Sequence, residues 1–305
     1  MAMNSSGPIS LAGPTAGQSI SLTIGRTATT TTSLGEPDVR TLANVPSGPI
    51  AMPGDFYNKA WSANSATFFM MGGGGAGASP YGDAGGGGQM IGQNSGVTVA
   101  VAKGTVYTIS VGAAGSNSTA FGYTAIAGGS GGQDFVSCGS GGNGGNGACG
   151  GGGASYCGIP TTCSGGTGYY GGNGGAGLST TLAGGNGGGG GLGGAGQSAY
   201  RSGITNYGGN GGASVTSTFN PSGSATRYGG GAPGTWYCGS GDPQQGGSWP
   251  DSGYGPNTGY GTYSGVVIVR ISNQFQTPTT TGSPTFANSG GYFWYTFTGS
   301  GTISF

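Results

Sequence analysis

The sequence predicts a mainly β protein in which small β-hairpins and a β-sandwich flank a bundle of Gly-Gly-X rods, polyglycine helices of the polyproline-II type. Essentially no α-helix is expected. Three observations carry this. Gly recurs every third residue in three long runs, short apolar alternations border those runs, and no stretch repeats apolar residues at helical spacing between caps.

The chain has 305 residues, 80 of them Gly, and about a third of residues 72–270 are Gly. Glycines fall at Gly141, Gly144, Gly147, Gly150 and Gly153, then at Gly165, Gly168, Gly171, Gly174 and Gly177. A third run has Gly184, Gly187, Gly190, Gly193 and Gly196, and a shorter one has Gly208 and Gly211. A period of three is that of the polyproline-II helix, which has no internal hydrogen bonds. Gly at two positions in three strips two helix faces of Cβ atoms, so backbones can approach and bond to each other. Ordering so much Gly is entropically costly, and only lateral pairing of the freed N–H and C=O groups offsets it. Five triplets at about 3.1 Å per residue give expected rods of roughly 40–45 Å. The X positions carry Asn143, Asn146, Asn173, Asn186 and Asn210, expected to bond to backbone at a bundle edge.

Strands are expected at Ala66–Met71 and at Gly265–Ile271, the most hydrophobic and central one. Val97–Val101 and Val106–Val111 alternate around Lys103-Gly104 and predict a hairpin; Tyr292–Thr298 and Thr302–Phe305 around Gly299-Ser300-Gly301 predict another. Residues 1–60 are Ser/Thr/Pro-rich with Gly-Pro punctuation and read as an extended arm, too poor in apolar residues for a core of its own. The expected division is residues 1–60 as arm, 61–272 as glycine-rich domain and 273–305 as a C-terminal hairpin segment.

Composition excludes several classes. The Gly triplets lack the Pro content of collagen, and no charged residue lies between Asp134 and Arg201, unlike a soluble disordered chain. Net charge is zero with no Lys/Arg cluster, which argues against nucleic acid as a partner. No apolar run approaches the roughly 18 residues of a membrane span, and Met1–Ser6 does not read as a signal peptide. His is absent, so the commonest general base and metal ligand is missing, and the seven acids form no catalytic pair. Glu36 and Asp38 around Pro37 read as a solvated turn. No enzyme activity, cofactor or metal is expected. The five cysteines (Cys138, Cys149, Cys157, Cys163, Cys238) read as semi-buried thiols ahead of disulfides, although Cys157 and Cys163 could close a small loop if oxidised.

The segments joining the runs (Ser155–Ser164, Ser198–Tyr207, Ser214–Tyr228, Thr235–Tyr263) are rich in aromatic residues. Rods that reverse direction place such connections at bundle ends, and Tyr, Trp, Ser, Gly and Asn on a rigid scaffold compose binding surfaces. The candidate receptor-binding residues are Tyr200, Arg201, Tyr207, Tyr228, Trp236, Tyr237, Trp249 and Tyr254. The competing reading is that these aromatics only cover the flanks of a coreless bundle.

Several stretches carry a resemblance. They are Val97–Val101, Lys103-Gly104-Thr105-Val106-Tyr107-Thr108-Ile109-Ser110-Val111-Gly112, Ala127-Gly128-Gly129-Ser130-Gly131-Gly132 and the closing Ser264–Arg270. In this order, after a strand and Gly72–Gly75, they resemble the glycine-rich domain of phage tail and virion proteins. Ser289–Ile303 is similar to the element that opens such domains, and Ser6–Leu11 with Val45–Ile50 to leading segments of phage structural proteins. The resemblance implies a virion location and a tail fibre or adhesin. Residues 1–60 would attach to other virion proteins, the aromatic loops would contact a host surface glycan or outer-membrane component, and fibre analogy implies a homotrimer. Two alternatives remain: a purely structural virion protein (baseplate, neck or capsid fibre) without receptor binding, and an ice-binding protein.

Overall fold

Apolar strands that run without alternation are buried on both faces, and the two most apolar segments of this chain sit side by side at the middle of one sheet. In the computed structural model, which describes residues 3–45, 47–57, 65–77, 84–133, 142–155, 162–179, 184–202, 205–234, 236–237, 244–245, 263–273, 275 and 277–305, the fold is mainly β with small antiparallel sheets. Ser65–Met71 pairs antiparallel with Val266–Ser272, placing Met71 opposite Val266 and Thr67 opposite Arg270. Met90–Ile91 and Val97–Ala100 join its other edge, and Tyr292–Phe297 and Thr285–Ser289 extend the sheet beyond Val266–Ser272, making six strands. A second sheet has five: Thr279–Thr281, Gly301–Ser304, Val106–Ser110, Ser118–Ala120 and Tyr123–Ala125.

The two sheets form a sandwich. Phe68, Met70, Val267, Val269, Ile271 and Phe297 of the larger sheet share one core with Ile109, Ala120 and Ile303 of the smaller. The opposite face of the larger sheet buries Phe69, Met71, Val266, Ile268 and Trp294 beneath Phe219 and Tyr228. Each fully buried side chain of this size contributes roughly 1.5–3 kcal/mol.

Both expected hairpins are corrected. Val97–Ala100 pairs with Ser65–Phe68 in the larger sheet, whereas Val106–Ser110 pairs with Gly301–Ser304 and Ser118–Ala120 in the smaller. The Lys103-Gly104 turn, with Gly104 at φ +74°, therefore carries the chain between layers. Tyr292–Phe297 and Gly301–Ser304 separate in the same way, so the C-terminal strands are built into both sheets rather than standing apart. Alternation reports that a strand is half-buried, not which strand it meets.

The N-terminal stretch also departs from expectation, because it has a small core of its own. Helices Ile20–Thr23 and Pro37–Ala43 and the 3-10 turn Gly54–Phe56 enclose Met3, Ile20, Ile24, Val39, Leu42, Ala43 and Phe56. The Ser19 side chain caps the first helix by accepting from Leu22 N–H, Pro37 opens the second, and Asn44 ends it in the left-handed region. Glu36 and Asp38, expected in a solvated turn, both pair with Arg26. Helices this short carry too few turns for periodicity to show. Phe275 packs against both this core and the sandwich, joining the two.

The glycine segments are held mainly by backbone bonds. Gly85 accepts from Ala232 N (2.9 Å), Gly86 accepts from Gly75 N (2.7 Å) and donates to Gly129 O (2.9 Å), and Gly87 donates to Gly190 O (2.9 Å) and accepts from Cys149 N (3.1 Å). Three successive residues thus bond to five neighbouring segments, where a β-strand bonds to two. A Cβ on Gly86 would overlap the Cys149 carbonyl oxygen, and one on Gly129 that of Gly145. The Asn side chains also bond to backbone, as acceptors: Asn143 Oδ1 from Ser164 N at 2.9 Å, Asn146 Oδ1 from Thr167 N at 2.7 Å, Asn186 Oδ1 from Ser155 N at 2.9 Å.

The runs do not extend for five triplets. Each folds back at its middle. Gly151 N bonds to Gly145 O and Ala154 N to Gly142 O; Gly174 N bonds to Gly166 O and Gly177 N to Cys163 O; Gly188 N bonds to Gln197 O and Gly191 N to Gly194 O. These are antiparallel registers within single runs, so each run is a pair of shorter segments rather than one continuous length.

Candidate functional site

Fold-back of the runs decides which end of the bundle carries what. The mid-run turns, around Ala148, Tyr169–Tyr170 and Leu192, lie beside the sandwich: Ala148 N bonds to Ala127 O, Tyr170 N to Ala148 O, and Leu192 packs on the cluster of Phe69 and Met71. The segment ends lie at the opposite, far end. There Gly177 N bonds to Cys163 O, Ala199 N to Ala176 O, Gly209 N to Asn186 O and Gly234 N to Gly209 O. Short strands gather at this end, above Gly segments bonded to one another through their backbones.

The most complete element is the hairpin Tyr200–Ser202 with Thr205–Tyr207, in which Tyr200 is opposite Tyr207 and Arg201 opposite Asn206. Opposite residues share a face, and the two phenol rings stack with centroids 4.7 Å apart and planes 6° from parallel. Tyr200 is 50% exposed, and Arg201 is exposed as well. Asn206 is buried on the other face, and neither its Nδ2 nor its Oδ1 has a hydrogen-bond partner among the described residues. A buried amide normally finds partners. Thr205–Tyr207 also runs parallel to Gln244–Gln245, while Trp236–Tyr237 pairs with Gly184–Gly185, whose backbone lies against Tyr207. Backbone topology therefore brings Tyr200, Arg201, Tyr207, Trp236 and Tyr237 to one end. Trp249 and Tyr254 lie outside the described residues.

Tyr228 does not join them. The Ser214–Tyr228 connection leaves the bundle at the sandwich end, where Val215–Ser217 and Thr226–Tyr228 form a hairpin over the larger sheet. Tyr228 is 4% exposed and packs on Phe69 with centroids 4.9 Å apart, and burial pushes its phenol pKa up. It is a core residue, lining the edge of a groove of about 370 Å³ with Asn220, Ser222, Thr226, Ile268 and Thr296. Sequence reading also passed over Asn206 and the exposed pair Tyr169 and Tyr170, 63% and 54% accessible. Adjacent tyrosines interrupting a Gly triplet were the available signal for the pair.

The cysteines split. Cys149 is a buried free thiol, its pKa pushed up to about 12 by burial, and is unreactive at neutral pH. Cys163 is disulfide-bonded, which corrects the thiol reading for that position. Among the described residues no helix is long and apolar enough to cross a membrane. The chain matches no protein-family model, no curated protein and no solved structure.

Proposed function

We propose that the chain is a virion protein of the tail-fibre or adhesin kind, with its glycine segments forming polyglycine-II rods that hold a host-contacting surface at their far end. The observation that carries this reading is the separation of roles along the bundle. One end is sealed against a packed sandwich, and the other presents the stacked Tyr200–Tyr207 pair, Tyr200 exposed and Tyr207 half-buried, with the exposed Arg201 on the other face of the hairpin. Aromatic rings with polar edges, held on a scaffold without mobile side chains, lose little entropy on binding a glycan or an outer-membrane component. The chemistry proposed is binding, not catalysis. The N-terminal unit, with its separate core, is the proposed attachment to other virion proteins.

The test is competition. Purified chain added to host cells before particles is expected to lower adsorption, and a Tyr200→Ala/Tyr207→Ala variant of unchanged melting temperature is expected to compete about tenfold less well. Equal competition by the variant would remove the hairpin from the site. Tyr169 and Tyr170 favour a second reading, a purely structural virion protein, since exposed paired rings beside the sandwich suit contact between copies, including a homotrimer. Failure of the chain to bind cells, together with loss of assembly in particles lacking it, would favour that reading.

A further inference from the structure

Arg270 is the only charged residue in the strand Val266–Ser272, in the midst of the most apolar segment of the chain. In register it stands opposite Trp294, as Ile268 stands opposite Thr296. Its guanidinium carbon lies 4.8 Å from the Phe219 ring centroid, 4.7 Å from Tyr292 and 5.4 Å from Trp294. Those rings come from two separate parts of the chain, Phe219 from one and Tyr292 and Trp294 from a single strand, and each is close enough to attract the cation. The donors of the fork have no acceptor among the described residues. Nε is buried without a partner among the described residues, and the Arg270 side chain forms no hydrogen bond or ion pair with any of them.

No described acid is placed to neutralise it. Glu36, Asp38 and Asp55 all belong to the N-terminal unit, whereas the described residues from 65 onward carry Lys103, Arg201, Arg227 and Arg270 and no acid. A guanidinium fork matches an oxyanion in two parallel hydrogen bonds, and a charge-assisted pair of this kind is among the stronger polar contacts. Arg270 itself is half-buried, so the fork reaches the surface between its rings.

The groove lined by Tyr228 lies next along the same face of the sheet. Ile268 and Thr296 lie one side-chain step along the same face, roughly 7 Å away, and the residue after Phe219 is Asn220, on the groove wall. The groove of about 370 Å³ has an apolar floor, Val266 and Ile268, and a rim of Asn220, Ser222, Thr226, Thr296 and Thr298. Apolar floor, hydroxyl and amide rim, and a prepositioned cation at one end together suit a polyhydroxylated ligand bearing a negative group.

We infer that this face of the larger sheet, from Arg270 through the Asn220–Tyr228 groove, is a binding site for an acidic saccharide, whose oxyanion pairs with the Arg270 guanidinium while sugar hydroxyls meet the groove rim. The adhesion reading supplies only the source of the saccharide; the oxyanion site stands on its own geometry.

The experiment titrates the full chain with trigalacturonic acid, maltotriose and inorganic phosphate by calorimetry, following Trp emission because Trp294 belongs to the frame. Trigalacturonic acid is expected to bind and maltotriose at equal concentration is not. Arg270→Met, with its melt checked, is expected to lose about tenfold or more in affinity, and Arg270→Lys, which keeps the charge without the fork, an intermediate amount. Equal binding by Arg270→Met, or equal binding of maltotriose, would overturn the inference. Phosphate binding as tightly as trigalacturonic acid would overturn the saccharide assignment. Should Arg270→Met not fold, Arg270→Lys and Thr296→Val decide, since unchanged affinity in both is incompatible with the site. Binding that depends on Arg270, with particle adsorption indifferent to saturating trigalacturonic acid and to the Tyr200/Tyr207 variant, would uphold this site while sinking the adhesion reading.

Discussion

The sandwich and the glycine bundle exclude water by opposite means. Around Phe68, Met70, Val267 and Phe297 the sandwich is closed by apolar side chains, with backbone bonds running in two directions within each sheet. Around Gly86, Gly129 and Gly189 the bundle has almost no side chains, and backbone bonds radiate from one segment to many. The sandwich can adjust by moving a rotamer, whereas the Gly positions of the bundle have none to move. A packed side chain tolerates substitution of similar volume, but a site whose nearest neighbours are carbonyl oxygens tolerates no added atom.

The sharpest way to break that contrast is a single methyl group. Gly86→Ala places a Cβ on the Cys149 carbonyl oxygen, with the Gly150 carbonyl oxygen beside it, and is expected to cost more than about 4 kcal/mol or to prevent folding. Phe68→Ala, which deletes a fully buried ring, is expected to cost about 3–5 kcal/mol. Gly299→Ala, where a Cβ meets nothing within 4 Å, should change stability by less than about 1 kcal/mol. Urea unfolding of the three variants measures the series. A Gly86→Ala chain as stable as Gly299→Ala would mean the lattice is not closed. Calorimetry offers a second handle. Exposing peptide groups lowers the heat capacity of unfolding while exposing apolar groups raises it, so the whole chain is expected to fall below about 12–15 cal/mol/K per residue. A value at or above that range would mean the bundle buries more apolar surface than its composition suggests.

The same contrast explains what could be read beforehand. The Gly period was visible because every third position repeats, and lateral bonding follows from it by elimination of internal bonds. The fold-back at Gly191–Gly194 was not visible, because a turn made of Gly inside a run of Gly leaves no compositional mark. The strands at Ser65–Met71 and Val266–Ser272 were legible from their apolar residues, yet partners were misassigned wherever a turn such as Lys103-Gly104 crosses between layers. Of the candidate site, Tyr200 and Tyr207 were legible as loop aromatics. Tyr228 was not separable from them, since its burial depends on Phe69, far away in sequence. The frame around Arg270 is likewise invisible without the sheet register that assembles it.

Alkaline titration sharpens the comparison region by region. Cys149 in the bundle has its pKa pushed from 9.0 to about 12, and Tyr295 in the sandwich from 10.0 to about 12, both through burial. In each case the folded chain holds a proton that the unfolded chain releases at lower pH, so stability falls as pH rises from the unfolded value toward 12. The Cys149 loss begins near pH 9 and amounts to a few kcal/mol by pH 12. Cys149→Ala is expected to move the onset of the decline in melting temperature up toward pH 10. An unchanged onset would assign the alkaline weakness to the sandwich alone.

The smallest effect expected is also the one most specific to the sandwich. Tyr295 is 2% exposed and its Oη is buried with no hydrogen-bond partner among the described residues. A hydroxyl in that position bears a desolvation cost without a compensating bond. Tyr295→Phe removes the oxygen while keeping the ring, which packs at 5.3 Å from Phe286. The substitution is therefore expected to leave stability unchanged at neutral pH or raise it by about 1 kcal/mol, and to remove the sandwich's share of the alkaline decline. Destabilisation by more than about 1 kcal/mol would show that the hydroxyl is bonded, to water or to residues beyond those described, and that this side of the core is wetter than its side chains imply.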